Sequence, residues 1–332
     1  MVISRTRKFL AFIITAMALL CIFYWAVNTG SLRVGIKALL RGLFIEYDEN
    51  VATIYDLRFP RIFIAMIGGA AVAVSGVLLQ VVMKNPLADP GILGISSGAS
   101  FVAVVITAFF PQMYFFIPGL AFCGGVVACI LIYMLSWTGN DLSPLRLILV
   151  GIAINAMFMG LISAINSLTG GSYSSTASIV TANISMKTWT DFRTLAIYAV
   201  PGLLISLIVA NPCNLLGLED KTVRSLGINV SRMRIGISAV AVLLVSISTS
   251  IMGPISFLGL IVPHIARLLV GGEHKVLIPY SAMLGAFCLL LADTLGRALV
   301  PPYEISPGII MSVVGGPFFI ILLRRTGKTY GR

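Results

Sequence analysis

The chain has 332 residues, of which 58% are hydrophobic and 11% charged, and its formal net charge is +11. A soluble domain carries about a quarter charged residues, so these values exclude a water-soluble fold and give an integral membrane protein. The positive charge reads as the Lys and Arg enrichment of loops on one side of a membrane, and no basic cluster is interleaved with aromatics as nucleic-acid binding would require.

A transmembrane helix takes roughly 17–25 apolar residues, or fewer where it is broken inside protein. The first such run is Phe9 to Val27, too long for a signal-peptide core. Bulky Leu20 before Cys21 also disfavours cleavage there, so the run is expected to stay as the first helix. Ser31 to Asp56 is polar and mixed, with an amphipathic helix expected over Arg33 to Phe44. The second span begins at LRFPRIF and reaches Met83; its Ala65, Gly69 and Ala73, at i, i+4 and i+8, permit close helix packing. KNPLADPG, Lys84 to Gly91, reads as a short polar turn. The third span is Ile92 to Phe110, with Gly94 and Gly98 as a packing pair, the fourth Tyr114 to Trp137 and the fifth Leu145 to Leu168. After the Ser/Thr-rich stretch Thr169 to Asp191 comes the sixth span, Phe192 to Ala210.

Asn211 to Arg234 then forms a polar island between apolar segments. Leu215, Leu216, Leu218, Val223 and Leu226 alternate with Glu219, Asp220, Lys221 and Arg224, and Gly227 stops the run. The pattern predicts one short amphipathic helix with a glycine C-cap, and hence a docking element for a cytoplasmic partner. Beyond it, Ile235 to Met252 and Ile255 to Val270 flank a helix break at Gly253-Pro254. They are either two short crossings or one long hairpin with a re-entrant arm, and both arrangements leave Arg234 and Lys275 on the same side. Val276 to Val300 and Gly308 to Leu323 complete about ten spans, separated by PPYEISP.

With both termini inside, fifteen Lys and Arg fall on the inner side and eight on the outer side. This bias places both termini and the polar island in the cytoplasm, and segments 29–57 and 169–191 outside. The expected fold is all-α, a single polytopic domain over residues 1–332.

Several motifs carry no chemistry. GKT at Gly327 to Thr329 matches the end of a P-loop, but Leu322 stands where its first glycine is required. The five cysteines form no CxxC pair and four lie in apolar runs, so they read as small apolar fillers. The two histidines, His264 and His274, sit in no HExxH, and His264 reads as a helix-end cation. The chain is therefore expected to have no catalytic centre, no metal site and no bound cofactor. Polar residues within spans are the better leads, because lipid penalises them. Gly151, Asn155, Met159, Ile162 and Asn166 share one helical face beside Ser163, serving either a pore lining or interhelical hydrogen bonds. Gly308, Ser312, Gly315 and Gly316 make a second face with almost no side chain, and Asp293 and Arg297 are spaced to pair at i, i+4.

Six strings occur in one order: LRFPRIFIAMIGGAAVAVSGVLLQ, KNPLADPGILGISSGAS, LILVGIA, LLGLEDKTVRSLGINVSRMR, GPISFLGLIVPHIARLLVGGEHKVLIPYSAMLGAFCLLLADTLGRAL and PPYEISPGIIMSVVGGPFFIILLRR. Together they resemble the permease family of ABC importers for iron-siderophores, haem and cobalamin, from about Leu57 to Arg325. The resemblance implies a ten-helix subunit in the bacterial cell membrane, paired with an identical or homologous permease. It also implies two cytoplasmic ATPase subunits that use ATP and Mg, and an extracytoplasmic substrate-binding protein. It assigns ATPase coupling to Leu216 through Asn229, with Leu216, Leu218, Glu219, Asp220, Val223, Arg224, Leu226 and Gly227 as candidates. Docking of the binding protein falls to Arg58, Arg61 and Arg297. The passage falls to Asn155, Met159, Ser163 and Asn166 on helix five, and to Met311, Ser312 and Gly315 on helix ten. The implied cargo is a ferric siderophore or haem, with cobalamin as the alternative and a membrane scaffold as the alternative of another class. A bare metal ion would require carboxylates, thiolates or imidazoles along the spans, so a chelate is expected.

Overall fold

A computed structural model describes residues 3–30, 34–45, 48–91, 93–138, 141, 142, 144–168, 184–300 and 303–330. Most of the Ser/Thr-rich stretch expected outside the membrane, and Arg33 at the start of the expected amphipathic helix, lie outside these residues.

The architecture is helical. It comprises α1 (Arg5–Asn28), α2 (Ile36–Phe44), α3 (Glu49–Leu57), α4 (Phe59–Val82), α5 (Ile95–Phe109), α6 (Ile117–Ser136) and α7 (Pro144–Leu168). There follow α8 (Trp189–Ile208), α9 (Ala210–Leu216), α10 (Asp220–Ser225), α11 (Val230–Met252), α12 (Leu258–Val270), α13 (His274–Leu299) and α14 (Pro307–Tyr330). A two-residue antiparallel pair, Trp137–Thr138 with Asp141–Leu142, closes the α6–α7 turn. Each expected span finds one helix. Among the described residues, seven helical stretches are long and apolar enough to cross a membrane, and Ile95–Phe109, Leu258–Val270 and Pro307–Leu322 are shorter apolar helices.

Helix α4 is the centre of the bundle, packed by α13, α11, α8 and α12 and buried along nearly all its length. Lipid tails give little apolar drive for helix association, so contacts of this kind rest on small residues that let backbones approach. The small-residue stripe does this. A methyl group on Gly69 would lie 2.4 Å from the carbonyl oxygen of Gly285 in α13, and one on Gly76 would lie 2.0 Å from that of Gly259 in α12. Gly98 meets α6 in the same way, 2.9 Å from the oxygen of Gly124, so the glycine pair of the third span serves packing.

Four local expectations change or are resolved. The third span is shorter than read, because Gly94 is left-handed (φ 84°) and α5 starts only at Ile95. KNPLADPG is not simply a solvated turn: Ala88, Asp89, Pro90 and Gly91 are buried. Their chain packs against the irregular segment 253–257 and the start of α12, where a methyl group on Gly91 would lie 3.2 Å from Ser256 Cα and one on Gly259 would lie 2.8 Å from Pro90. The Gly253-Pro254 break resolves into a full-length α11 followed by a 13-residue arm, α12, about 20 Å long. Arg232 and Arg234, read as loop, belong to the first turns of α11, which Asn229 caps by accepting from the backbone N–H of Arg232 at 3.0 Å.

Candidate functional site

Charged groups gather at the two ends of α4, which its 24 residues set about 36 Å apart. At its C-terminal end the polar island folds as two short helices, not one. Gly217 ends α9, and α10 starts at Asp220 with its acid in the first turn and Arg224 in the last, both favourable to the helix dipole. Gly227 follows α10 in the left-handed conformation (φ 76°), the expected glycine cap.

Two polar clamps fix this island to the bundle. Lys84, just past the end of α4, takes a left-handed conformation itself (φ 47°). Its Nζ donates to the carbonyl oxygen of Leu218 at 2.7 Å and pairs with Asp220 Oδ1 at 2.8 Å. Arg234 reaches the same carboxylate at 3.1 Å. On the other side, Asn214 Oδ1 accepts from the backbone N–H of His274 at 2.9 Å and from its ring Nδ1 at 2.7 Å, which places the ring proton on Nδ1.

Burial alone would raise the Asp220 carboxyl, but the Lys84 hydrogen bond and the charges of Arg234, Lys84 and Arg224 hold it below the usual carboxylate range. A depressed folded-state value stabilises the clamp above the unfolded carboxyl range, about 3.9, and is lost as pH falls through the depressed value. Amide protection of Leu218 to Ser225 is therefore expected to hold from pH 7 to pH 5 and to fall only in stronger acid. Asp220→Asn should show the low protection already at neutral pH. Hydrogen exchange of the two proteins across that range checks it.

The eight coupling candidates divide by burial. Leu216 and Val223 are fully buried and anchor the island, and Asp220 is held in the clamp. Leu218, Glu219, Arg224, Leu226 and Gly227 are exposed together, with Leu218 and Leu226 at 46% and 61% exposure. Two exposed leucines flanked by one acid and one base make a small surface able to receive an apolar groove with a charged rim.

At the opposite end, the candidate docking arginines form an internal network. Arg61 donates from Nε to both oxygens of Asp293 (3.0 and 3.1 Å) and from a terminal nitrogen to Oδ1 (2.8 Å). Its other terminal nitrogen reaches Glu304 at 2.8 Å. Arg297 pairs with the same Asp293 at 3.3 Å, as its i, i+4 spacing predicts, and donates to the carbonyls of Ala26 and Thr29. Arg58 donates to the carbonyl of Val27. Asp293 is fully buried and the side chains of Arg61 and Arg297 nearly so. Glu304 also accepts from Ser185 at 2.6 Å. Arg61 and Arg297 thus tie the ends of α1, α4 and α13 and the segment before α14, while Arg58 is only half-buried.

The passage candidates lie on α7 and α14. Met159, Ser163 and Ser312 are exposed, Asn155 and Asn166 half-buried, and Met311 and Gly315 buried. Gly315 is covered by Phe257, which a methyl group there would meet at 2.4 Å. The Ser163 and Ser312 hydroxyls donate to the carbonyls of Met159 and Gly308 in their own helices. The exposed faces therefore present methyl and methylene groups with few free polar donors.

Sequence reasoning did not assign Lys84, Asn214, Gln80 or Glu304. Lys84 and Glu304 carried one available signal, a charge in a short turn beside a span, and Gln80 carried another, a polar side chain inside the second span; Asn214 carried none.

A family model described as the FecCD transport family matches residues 17–325 of the chain. The chain is 38% identical over 319 residues to the proteins named "Probable heme-iron transport system permease protein IsdF" of Staphylococcus aureus strains MSSA476 and Newman, covering 96% of this chain and 97% of theirs. Among solved structures it resembles a metal-chelate type ABC transporter in an inward-facing conformation, with TM-score 0.79 and 26% identity over 96% of this chain and 99% of that one. PsaBC from Streptococcus pneumoniae in complex with Fab shares the fold, with TM-score 0.56 and 18% identity over 87% of this chain and 95% of that one.

Proposed function

The chain belongs to the FecCD transport family, and from that premise we propose that it is the membrane permease of an ABC importer that moves haem or a ferric siderophore into the cytoplasm. The observation that carries the substrate class is the 38% identity, over 96% of the chain, to proteins named as haem-iron transport permeases. The chain works as a pair with a second copy or a homologous permease in the cell membrane. Two ATPase subunits dock on Leu218, Glu219, Arg224 and Leu226 and supply the ATP and Mg chemistry, and this end of α4 faces the cytoplasm. The exposed, mostly apolar faces of α7 and α14 line the passage. Walls of this kind suit a bulky ligand that must not adhere, since each hydroxyl they carry at Ser163 and Ser312 is already bonded within its own helix.

An extracytoplasmic binding protein docks at the Arg58 end. Because Arg61 and Arg297 are committed to Asp293 within the chain, Arg58 is the arginine of the three best placed to meet an acidic partner. Arg58→Glu is expected to weaken docking several-fold at low ionic strength and much less in high salt, as screened rim charges do. Equal binding of wild type and variant at low salt, measured by surface plasmon resonance, would remove Arg58 from the interface.

The test of function is uptake by a strain lacking this permease. Labelled haem or a labelled ferric siderophore should fail to enter and should be restored by the chain. Uptake of cobalamin alone, or of unchelated iron, would overturn the substrate class. Normal uptake of every compound in the deletion strain would favour a scaffold role.

A further inference from the structure

Between the clamped island and the passage helices runs one continuous polar and backbone path. Gln80, in the last turn of α4, is 97% buried (3% exposed). Its side-chain amide donates to the carbonyls of Ala88 (3.3 Å) and Gly259 (3.2 Å), and its oxygen accepts from Arg267. Four residues on, Lys84 holds Leu218 and Asp220 of the island. The backbone N–H of Asn85, the residue after Lys84, donates to the Gln80 carbonyl (3.0 Å) and closes the turn that contains both. On the far side of Gln80, Ala88 belongs to the irregular segment that follows α4, and Gly259 stands in the first turn of α12, directly after the irregular segment 253–257 that packs against it to form a crossing.

Those segments touch both passage helices at glycines. Gly94 faces the backbone of α7, 3.0 Å from the Asn155 nitrogen for an added methyl, and Gly151 faces Leu93 at the same distance. Phe257, left-handed at φ 66°, covers Gly315 of α14 and lies 6.4 Å from the ring of Phe319. Non-helical backbone inside a membrane protein is tolerated where protein encloses it. With only a few turn-type hydrogen bonds of its own, its position is also set by groups such as the Gln80 amide. Close-packed contacts of this kind shift between discrete arrangements and do not deform continuously.

We infer that Gln80 and Lys84 are positioning residues that carry displacement of the Gly217–Gly227 island to the irregular crossing, and through it to α7 and α14. This deepens the proposed import function and rests on it. Lys84 sets the island against the end of α4, and Gln80 sets the end of α4 against the crossing. Gln80 touches neither the passage nor the exposed docking surface, and Lys84 meets that surface only at the backbone carbonyl of Leu218.

The test uses the whole importer, permease with its ATPase and binding protein, in proteoliposomes. The exposed Cys21 and Cys123 are replaced by alanine, and Ser312→Cys is introduced as a reporter. Thiol labelling at this position is compared without nucleotide and with ATP and vanadate, and haem uptake per ATP hydrolysed is measured in parallel. Gln80→Glu keeps an acceptor for Arg267 but loses both donors to the crossing. Lys84→Gly keeps the left-handed turn but loses the clamp. Both are expected to keep the thermal midpoint and most of the ATP hydrolysis, to lose the nucleotide-dependent change in labelling, and to take up about tenfold less haem per ATP. Lys84→Arg should restore both readouts. Unchanged labelling response and uptake ratio in Gln80→Glu and Lys84→Gly would overturn the relay. If the unmodified permease shows no nucleotide-dependent labelling and no uptake, the import reading fails first and the relay falls with it.

Discussion

Asp293→Ala is expected to leave little folded protein after extraction into mild detergent. Asp293 is the shared partner of two guanidinium groups, Arg61 at 2.8 Å and Arg297 at 3.3 Å, all three buried. Removing the acid leaves two like charges facing each other away from water. Deleting one partner of a buried pair costs about 3–5 kcal/mol, a large part of the stability of a typical domain. The loss should appear as a collapsed monodisperse peak in size-exclusion chromatography and a thermal midpoint lowered by many degrees. Replacing Arg61, Asp293 and Arg297 together by Met, Leu and Met should restore folding, since apolar replacements of buried ion groups are often neutral. If Asp293→Ala elutes and melts like wild type, the three groups are not the buried cluster described. If the triple replacement folds but no longer transports, the charges are retained for function at that end of the bundle.

Gly76→Leu is expected to prevent α4 and α12 from meeting. Even a methyl group at Gly76 would sit 2.0 Å from the Gly259 carbonyl oxygen and 2.6 Å from its Cα. Backbone on both sides cannot rotate out of the way, unlike the flexible Met252 that faces Gly68. Overpacking costs typically 1–3 kcal/mol, and Gly76→Ala belongs at the upper end, about 3 kcal/mol, with leucine beyond it. Because Gln80 bonds the same Gly259 carbonyl, the substitution should also disturb the crossing. Thermal unfolding of Gly76→Ala within a degree of wild type would contradict the close approach.

The features legible in the sequence are those with short-range periodicity. Glycine and alanine every fourth residue gave the packing stripe of α4, i, i+4 spacing gave the Asp293–Arg297 pair, and Gly227 gave the cap of α10. What was not legible depends on partners far apart in the chain. Arg61 and Asp293 are separated by 232 positions, so the arginine reads as a free rim charge until the fold places the acid beside it. KNPLADPG has the composition of a solvated turn, and its burial depends on Gly259 and Ser256 arriving from a distant segment. The polar island divides into two helices at Gly217, a break the alternation of leucines with charges concealed. Spacing gave candidate faces on α7 and α14, but Gly151 and Ile162 of the first are buried, and Gly315 of the second is hidden by Phe257, whose left-handed backbone no pattern announces.

ATP-driven uptake into proteoliposomes tests the account most directly. Vesicles carry the permease with its binding protein outside and ATP inside, with or without the ATPase subunit, and labelled haem is supplied externally. Haem should accumulate only when ATPase and ATP are both present, and accumulation should fall to background when Glu219 and Arg224 are both replaced by alanine while the permease remains folded. Accumulation that persists without the ATPase, or that is unaffected by the double replacement, would contradict it.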